Sequence, residues 1–400
     1  MKWINPGHEF DALGNYFKQR SRIYIWGCGE AGRWANRQLG FLDCVDAYID
    51  RDTEKQGKEI DGVPVLHTDV LLKKKVDDHL ILIAVKSEDN MRKMEIMLQL
   101  IGYIKGIDFF HVKDFIPSEQ STIDYKDNFV FRVYCAYAHN KIWLDSTAIF
   151  PSTLCTLKCK NCLAFTPYIK QHRIKTLEEE KQEVDVFFKW VSYVRWFQIS
   201  GGEPQMWPHL CELVDYVGSR YRDRIGNRFE IVTNGTIIPS EDLILLMKKY
   251  KMDMVVDDYG DNYGKCKNYS KDIISKLKDN CVEYICQKSD WWFDLGFFYT
   301  ENTNIDLIQY FNDCAIPFNA NEYGRMYLCS YANFAIKAGL IEDDDNEHFD
   351  LNVDMTSENI KKLNEFLLGY SKKGYSKLCE RCMGWGETIN KSKIPAAIQV

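Results

Sequence analysis

"CTLKCKNC", residues 155–162, places Cys155, Cys159 and Cys162 within eight positions, three residues and then two between them. An apolar run, "STAIFPSTL" (146–154), precedes it and reads as a strand. Three thiols on one loop after a strand can converge on a single centre. A structural zinc ion wants a fourth ligand close by. The nearest histidine, His172, lies ten residues on. Three cysteines suit instead a [4Fe–4S] cluster with one iron left open, and an open position marks a site of chemistry. A zinc or redox cysteine knot is the competing reading.

Outward from this stretch the chain alternates strands and helices. Short apolar runs "VRWFQIS" (194–200), "RFEIVT" (228–233), "MDMVVD" (252–257) and "VEYICQ" (282–287) are separated by helix-like segments near 176–193, 208–220, 240–250 and 268–280. This spacing predicts a partial (β/α)6 barrel over 141–304, with chemistry at the C-terminal ends of its strands. "GGEP" (201–204), "TNG" (233–235) and "DDYG" (257–260) all follow such strands.

These residues together resemble the radical S-adenosylmethionine (SAM) superfamily. The resemblance implies that Cys155, Cys159 and Cys162 ligate the cluster and that SAM chelates the open iron. It further implies a 5′-deoxyadenosyl radical that removes a substrate hydrogen, and an electron donor such as flavodoxin or ferredoxin. Gly201, Gly202 and Glu203 match the segment that holds the SAM amino group. Glycines let backbone acceptors approach, and a carboxylate accepts charge-assisted bonds from an ammonium. Thr233 and Asn234 match a segment near the ribose. Asn161 stands where most members carry an aromatic residue.

Further on, Cys314, Cys329, Cys379 and Cys382 remain, with Gly324 five residues before Cys329. This resembles the twitch form of the SPASM extension and implies an auxiliary [4Fe–4S] cluster over 305–390. A four-cysteine zinc site is the alternative, since four thiolates fit either. Residues 391–400 read as a tail. The acidic run "IEDDDNEHFD" (341–350) reads as a solvated loop.

The first 120 residues read as a separate Rossmann-like parallel sheet. "RIYIWGCGEAGRWANRQLG" (22–40) is a strand, then Gly27, Gly29 and Gly32 in G-x-G-x-x-G order, then a helix. "VDAYID" (45–50) ends in Asp50, and "HLILIAV" (79–85) is a third strand. The pattern predicts a phosphate resting on a helix N-terminus and Asp50 on a ribose hydroxyl. It resembles small domains that precede sugar-modifying enzymes of bacterial glycan pathways, which implies a nucleotide or nucleotide sugar as ligand; such a domain can also serve only for docking. Residues 121–140 read as the linker, centred on "PSEQSTIDYKDN" (117–128).

Composition narrows the class. Net charge is −7 over 400 residues, which argues against a general nucleic-acid binder. The N-terminus lacks the long apolar run of a signal peptide, and no stretch of about 18 apolar residues suggests a membrane span. The expectation is a cytoplasmic protein, in which 14 cysteines serve metals or catalysis more readily than disulfides. Cys286 ends a strand and is a candidate hydrogen donor, since several radical SAM epimerases return a hydrogen atom from a thiol; a small buried hydrophobe is the plainer reading. Asp257, Asp258 and "WWFDLG" (291–296) are candidates for the substrate cleft, with a solvated turn and a core role for Trp291 and Trp292 as the plainer readings.

The reading is therefore an α/β radical SAM enzyme that dehydrogenates, or epimerises, a nucleotide-linked sugar or related small molecule. A peptide-modifying maturase and a non-enzymatic zinc-bound interaction protein are the alternatives.

Overall fold

The structure, a computed structural model, describes residues 1–117, 129–315 and 319–400. The chain forms two compact units. One holds residues 7–143 with 356–364, and the other holds 1–6, 144–355 and 365–400.

The first unit contains helix α1 (Asp11–Lys18), strand β1 (Arg22–Trp26), α2 (Glu30–Leu39), β2 (Val45–Ile49), β3 (Glu59–Ile60), β4 (Val63–Leu66), α3 (Asp69–Leu72), β5 (His79–Ile83), α4 (Glu88–Ile101), β6 (Phe109–His111), α5 (Val112–Phe115) and α6 (Phe129–His139). The sheet order is β3-β4-β2-β1-β5-β6. β1 pairs in parallel with both β2 and β5. β2 to β4 lie on one side of β1 and β5 and β6 on the other, and such a reversal opens a crevice at the strand C-termini. β5 is buried along its whole length, as a central parallel strand covered on both faces should be. Of the predicted linker, 121–128 lies outside the described residues. The rest corrects the expectation: 129–139 is helix α6, whose Phe131, Val133, Tyr134 and Tyr137 are buried. An amphipathic stretch with that much apolar surface cannot stay a solvated linker.

The second unit is built on β7 (Ile142–Ile149), α7 (Leu177–Trp190), β8 (Val191–Ile199), α8 (Leu210–Tyr221), β9 (Ile225–Thr233), α9 (Glu241–Tyr250), β10 (Asp253–Asp258), α10 (Ser270–Asp279) and β11 (Tyr284–Lys288). Then come β12 (Trp291–Phe293), α11 (Leu307–Asp313), β13 (Asn319–Glu322), β14 (Arg325–Tyr327), α12 (Ser330–Lys337), β15 (His348–Asp350) and β16 (Lys393–Pro395). One sheet runs β11-β10-β9-β8-β7-β13-β14-β15, and β8 through β11 pair in parallel. The α7 N-terminus is fixed by a capping box between Thr176 and Glu179, worth about 1 kcal/mol.

Two boundaries differ from the sequence reading. The segment after 305 is not a separate appendage, because β13 pairs in parallel with β7 and continues the barrel sheet. Residues 391–400 are not a free tail, because β16 pairs antiparallel with β12. No helix among the described residues is long and apolar enough to cross a membrane.

Candidate active site

The cysteine loop leaves the end of β7 and is held by the segment that leaves β8. Ser200 N–H donates to Ile149 O (3.0 Å), Gly202 N–H to Ser152 O (3.3 Å) and Glu203 N–H to Leu154 O (2.7 Å). The two backbones are so close that a Cβ on Gly201 would lie 2.4 Å from Ser152 O, and one on Gly202 2.0 Å from Leu154 O. No side chain fits at either position, so the glycines set the height of the cysteine loop over the sheet.

Cys155, Cys159 and Cys162 face one cavity of about 570 Å³, a size typical of small-molecule sites. Gly201, Gly202, Asn234, Asp257 and Tyr259 line it, and Trp291, Trp292, Phe293 and Trp385 form an aromatic wall. Burial pushes the Cys155 thiol up to about 12, with Cys162, Glu203 and Cys159 adding to the effect. Cys159 is likewise pushed to about 12 by burial and then by Cys162. Thiolates crowded here need a cation, and a bound metal deprotonates its thiols outright. His172 does not line the cavity; its Nδ1 lies 3.1 Å from Thr153 Oγ1. Three sulfurs around a space open on one side fit a [4Fe–4S] cluster with one free iron. Among the described residues, no three His, Cys, Asp or Glu side chains close around a single-ion position.

The structure places Glu203 behind the cavity. It is fully buried and does not line the cavity. Its carboxylate accepts from Asn234 N–H (2.8 Å), Thr233 Oγ1–H (3.1 Å) and Gln205 N–H (3.2 Å). It therefore braces the turn after β9. Burial raises its pKa, while these donors act against that rise. Thr233 is buried behind the wall. Asn234 reaches forward: its Nδ2 donates to Cys155 Sγ (3.3 Å) and Thr156 Oγ1 (3.0 Å).

Cys286 is also corrected. It lies on β11 but is exposed, and its neighbours Gln287 and Lys288 line the cavity while it does not. β11 is the sheet edge, and the thiol is exposed to solvent there. The two aspartates that end β10 separate because adjacent residues of a strand point to opposite faces. Asp258 accepts from Gly260 N–H (3.1 Å) and Asn268 Nδ2–H (2.9 Å) and only shapes the turn. Asp257 lines the cavity and accepts from Tyr259 OH (3.1 Å). Burial lifts its carboxyl to about 7, opposed by that hydrogen bond and assisted by Glu203 and Glu230.

The other four cysteines meet in a second, smaller cavity. Cys314 follows α11, Cys329 follows β14, and Cys379 and Cys382 come from one short turn, with Tyr310 and Trp385 beside them. Cys379 is raised well above its ordinary range by burial and then by Cys329, Cys382 and Cys314. Backbone N–H groups of Gly384 and Trp385 donate to Cys382 Sγ (3.2 Å) and Cys314 Sγ (3.3 Å). Asn302 Nδ2 fastens the turn at Cys379 O (2.7 Å) and Cys382 O (2.8 Å). Cys329 and Cys382 are buried and Cys314 and Cys379 half-buried; with such donors these four are the thiols that would hold a protein-ligated cluster rather than a single ion. Gly324, with φ of +67°, makes the tight turn between β13 and β14. Trp385 lines both this cavity and the larger one. Sequence reading had no signal for that residue.

In the first unit, the glycine motif behaves only partly as predicted. A cavity of about 300 Å³ opens at the C-terminal ends of β1 and β2, lined by Gly27, Asp50, Arg51 and Lys93 over Trp26, Met94 and Met97. Gly29 and Gly32 do not line it. Gly32 is a packing residue, since a Cβ there would sit 1.9 Å from Gly27 O. A phosphate at the N-terminus of α2 would meet Glu30, which opens that helix and pairs with Lys86. It would also find Cys28 N–H already donated to Asp50 Oδ2 (3.1 Å). The open space is beside Asp50, not over Gly29.

Residues 149–256 match the model of the radical SAM superfamily. Members of that family are enzymes that use a [4Fe–4S] cluster and SAM. Solved structures that align with the chain include BtrN in complex with AdoMet and 2-DOIA, at 14% identity over 64% of this chain and 100% of that one, TM-score 0.40. Streptococcus suis SuiB bound to precursor peptide SuiA aligns at 18% identity over 50% of this chain and 45% of its own, TM-score 0.30. A tagged form of anSMEcpe with bound AdoMet aligns at 20% identity over 36% of this chain and 43% of its own, TM-score 0.30. The chain thus spans less than half the length of the last two. No curated protein matches the chain.

Proposed function

We propose that this chain is a radical SAM oxidoreductase that dehydrogenates an alcohol or amine carbon of a small polar substrate, a nucleotide-linked sugar or a related molecule. The observation that carries the reading is the position of Trp385, which borders both the three-thiol cavity and the four-thiol cavity. When bound, the cluster on Cys155, Cys159 and Cys162 with SAM supplies a radical that removes a substrate hydrogen, and a cluster on Cys314, Cys329, Cys379 and Cys382 supplies an electron acceptor.

The chain's own residues provide the rest. The wall of Trp291, Trp292 and Phe293 offers flat faces to the apolar side of a ring and excludes water. Asp257 is placed to take the proton from the substrate hydroxyl or amine as the carbon is oxidised. Its pKa of about 7 suits a base that works at neutral pH. Gln287 and Lys288 reach the same cavity from β11 and present polar groups to substrate oxygens. The exposed position of Cys286 speaks against hydrogen return from that thiol, and so against epimerisation through it. We further propose that the cavity beside Asp50 in the first unit takes a nucleotide or nucleotide sugar. An acidic flavodoxin- or ferredoxin-type protein would supply electrons, and the enzyme would work in the cytoplasm.

The test is anaerobic turnover of the reconstituted enzyme with SAM and a panel of nucleotide-linked sugars. A product lighter by two hydrogens, formed together with 5′-deoxyadenosine, supports dehydrogenation. A product of unchanged mass rules it out.

A further inference from the structure

The last residues of the chain lie across the cysteine loop as a strap. Lys160 N–H donates to Ile398 O (2.6 Å) and Val400 N–H to Lys158 O (2.9 Å), so Cys159 and Gln399 face each other in a short antiparallel bridge. Ala397 is fully buried and packs with Leu157, Cys159 and Tyr263. The strap is anchored from behind, where Asn262 Nδ2 donates to Ala396 O (2.9 Å). Gly264 leaves room for the Gln399 side chain, since a Cβ there would approach Gln399 Cγ to 2.9 Å.

Within this strap Gln399 is oriented by its neighbours. Lys158 N–H can only donate, and it does so to Gln399 Oε1 (2.7 Å). That fixes the amide oxygen on one side and turns Nε2 to the other. There Nε2 lies 3.4 Å from Cys159 Sγ, 3.3 Å from Asn262 O and 2.5 Å from Ala397 O. Cys155 receives its amide donor from Asn234 on a neighbouring strand end. Cys159 receives its own from a residue 240 positions away in sequence.

We propose that Gln399 is a positioning residue that donates an N–H···S hydrogen bond to the Cys159 ligand and thereby sets how easily the cluster on that loop is reduced. The inference rests on the radical SAM reading of Cys155, Cys159 and Cys162. Hydrogen bonds to cluster sulfurs are among the determinants of reduction potential, and outer residues that orient a ligand tune its metal. The bond is stronger to the more electron-rich, reduced state, so it raises the potential. It also acts without touching substrate or SAM.

Gln399→Glu and Gln399→Met separate the two roles. Glutamate keeps an oxygen for Lys158 N–H but replaces the donor with an anion. Methionine keeps the length and removes both bonds. The full-length protein, loaded anaerobically with iron and sulfide, is titrated with reductant while the EPR signal that responds to added SAM is followed. The expected result is iron content within error of the wild type for Gln399→Glu and a potential lowered by a roughly tenfold change in the reduction equilibrium, about 59 mV for one electron. Gln399→Met should lower the potential in the same direction with some loss of iron. Unshifted potentials in both variants would overturn the proposal, even if iron retention fell, because the strap would then only brace the loop. Full iron content in a Cys155/Cys159/Cys162→Ala variant would overturn this proposal together with the reading beneath it.

Discussion

The two groups of cysteines present the same sulfur atom in opposite settings. The first takes three thiols from one loop and opens onto a cavity of about 570 Å³. The second takes four thiols from three separate places and closes them in a small pocket with backbone N–H donors on two of the sulfurs. An open coordination position invites a ligand to be transformed; a closed one stores charge or holds the fold. The pair teaches that the number of thiols, and how much of the surrounding space the protein leaves free, separate a reactive centre from a supporting one.

The largest expected effect breaks the two apart. Cys159→Ala should abolish SAM cleavage, whereas Cys379→Ala should still cleave SAM and make no oxidised product; chromatography of 5′-deoxyadenosine and mass spectrometry of the product read the two outcomes. Equal loss of SAM cleavage in both variants would erase the proposed division of labour.

Next in size is Asp257. Asp257→Asn should lower product formation by roughly 10²–10⁴-fold, the usual worth of a general base, with SAM cleavage less affected. In the wild type the base form must be present, so product formation should climb with pH through about 7. The same shift fixes the stability effect. The folded pKa of about 7 lies above the ordinary 3.8, so the folded state is favoured by protonation. That advantage is complete below about pH 4 and declines up to about pH 7. Asp257→Asn should therefore melt higher than the wild type above pH 7, relative to the difference at pH 4.

Gly202 sharpens the comparison from the backbone side. Gly202→Ala forces a Cβ to within 2.0 Å of Leu154 O, so the open site should lose iron while the closed site keeps it. Iron analysis of Gly202→Ala combined with Cys379→Ala would show whether both sites then fail. The smallest effect belongs to Cys286→Ala. The thiol is exposed and outside the cavity, and turnover and product mass should match the wild type.

How much of this was legible in the sequence follows from how local each signal is. Cys155, Cys159 and Cys162 lie within eight residues, and Gly201 and Gly202 mark a close approach that only glycine permits. Both were readable because spacing alone carries them. A carboxylate in this position reads the same in sequence whether it lines the cavity or braces Thr233 and Asn234 from behind, as that of Glu203 does. Cys286 depended on which face of an edge strand it occupies, and a one-residue change of register reverses that. The linker expectation does not hold at 129–139, because the buried apolar residues of α6 outweigh the polar, turn-rich stretch that precedes them. The docking of residues 396–400 on the cysteine loop, and the place of Trp385 between the two cavities, depend on pairings more than 70 residues apart, which no local pattern encodes. In the first unit the G-x-G-x-x-G spacing marked the correct turn. The structure assigns Gly32 to packing and leaves the open space beside Asp50.

The central claim is that the chain holds two iron–sulfur clusters, one open and one closed. The most direct measurement is iron and sulfide content of the anaerobically reconstituted full chain, compared with the Cys155/Cys159/Cys162→Ala and Cys379/Cys382→Ala variants. The account predicts about eight irons and eight sulfides in the wild type and about four of each in either variant, with the SAM-responsive EPR signal surviving only in the second. Zinc in place of iron, or an iron content unchanged by removing the first three cysteines, would contradict it.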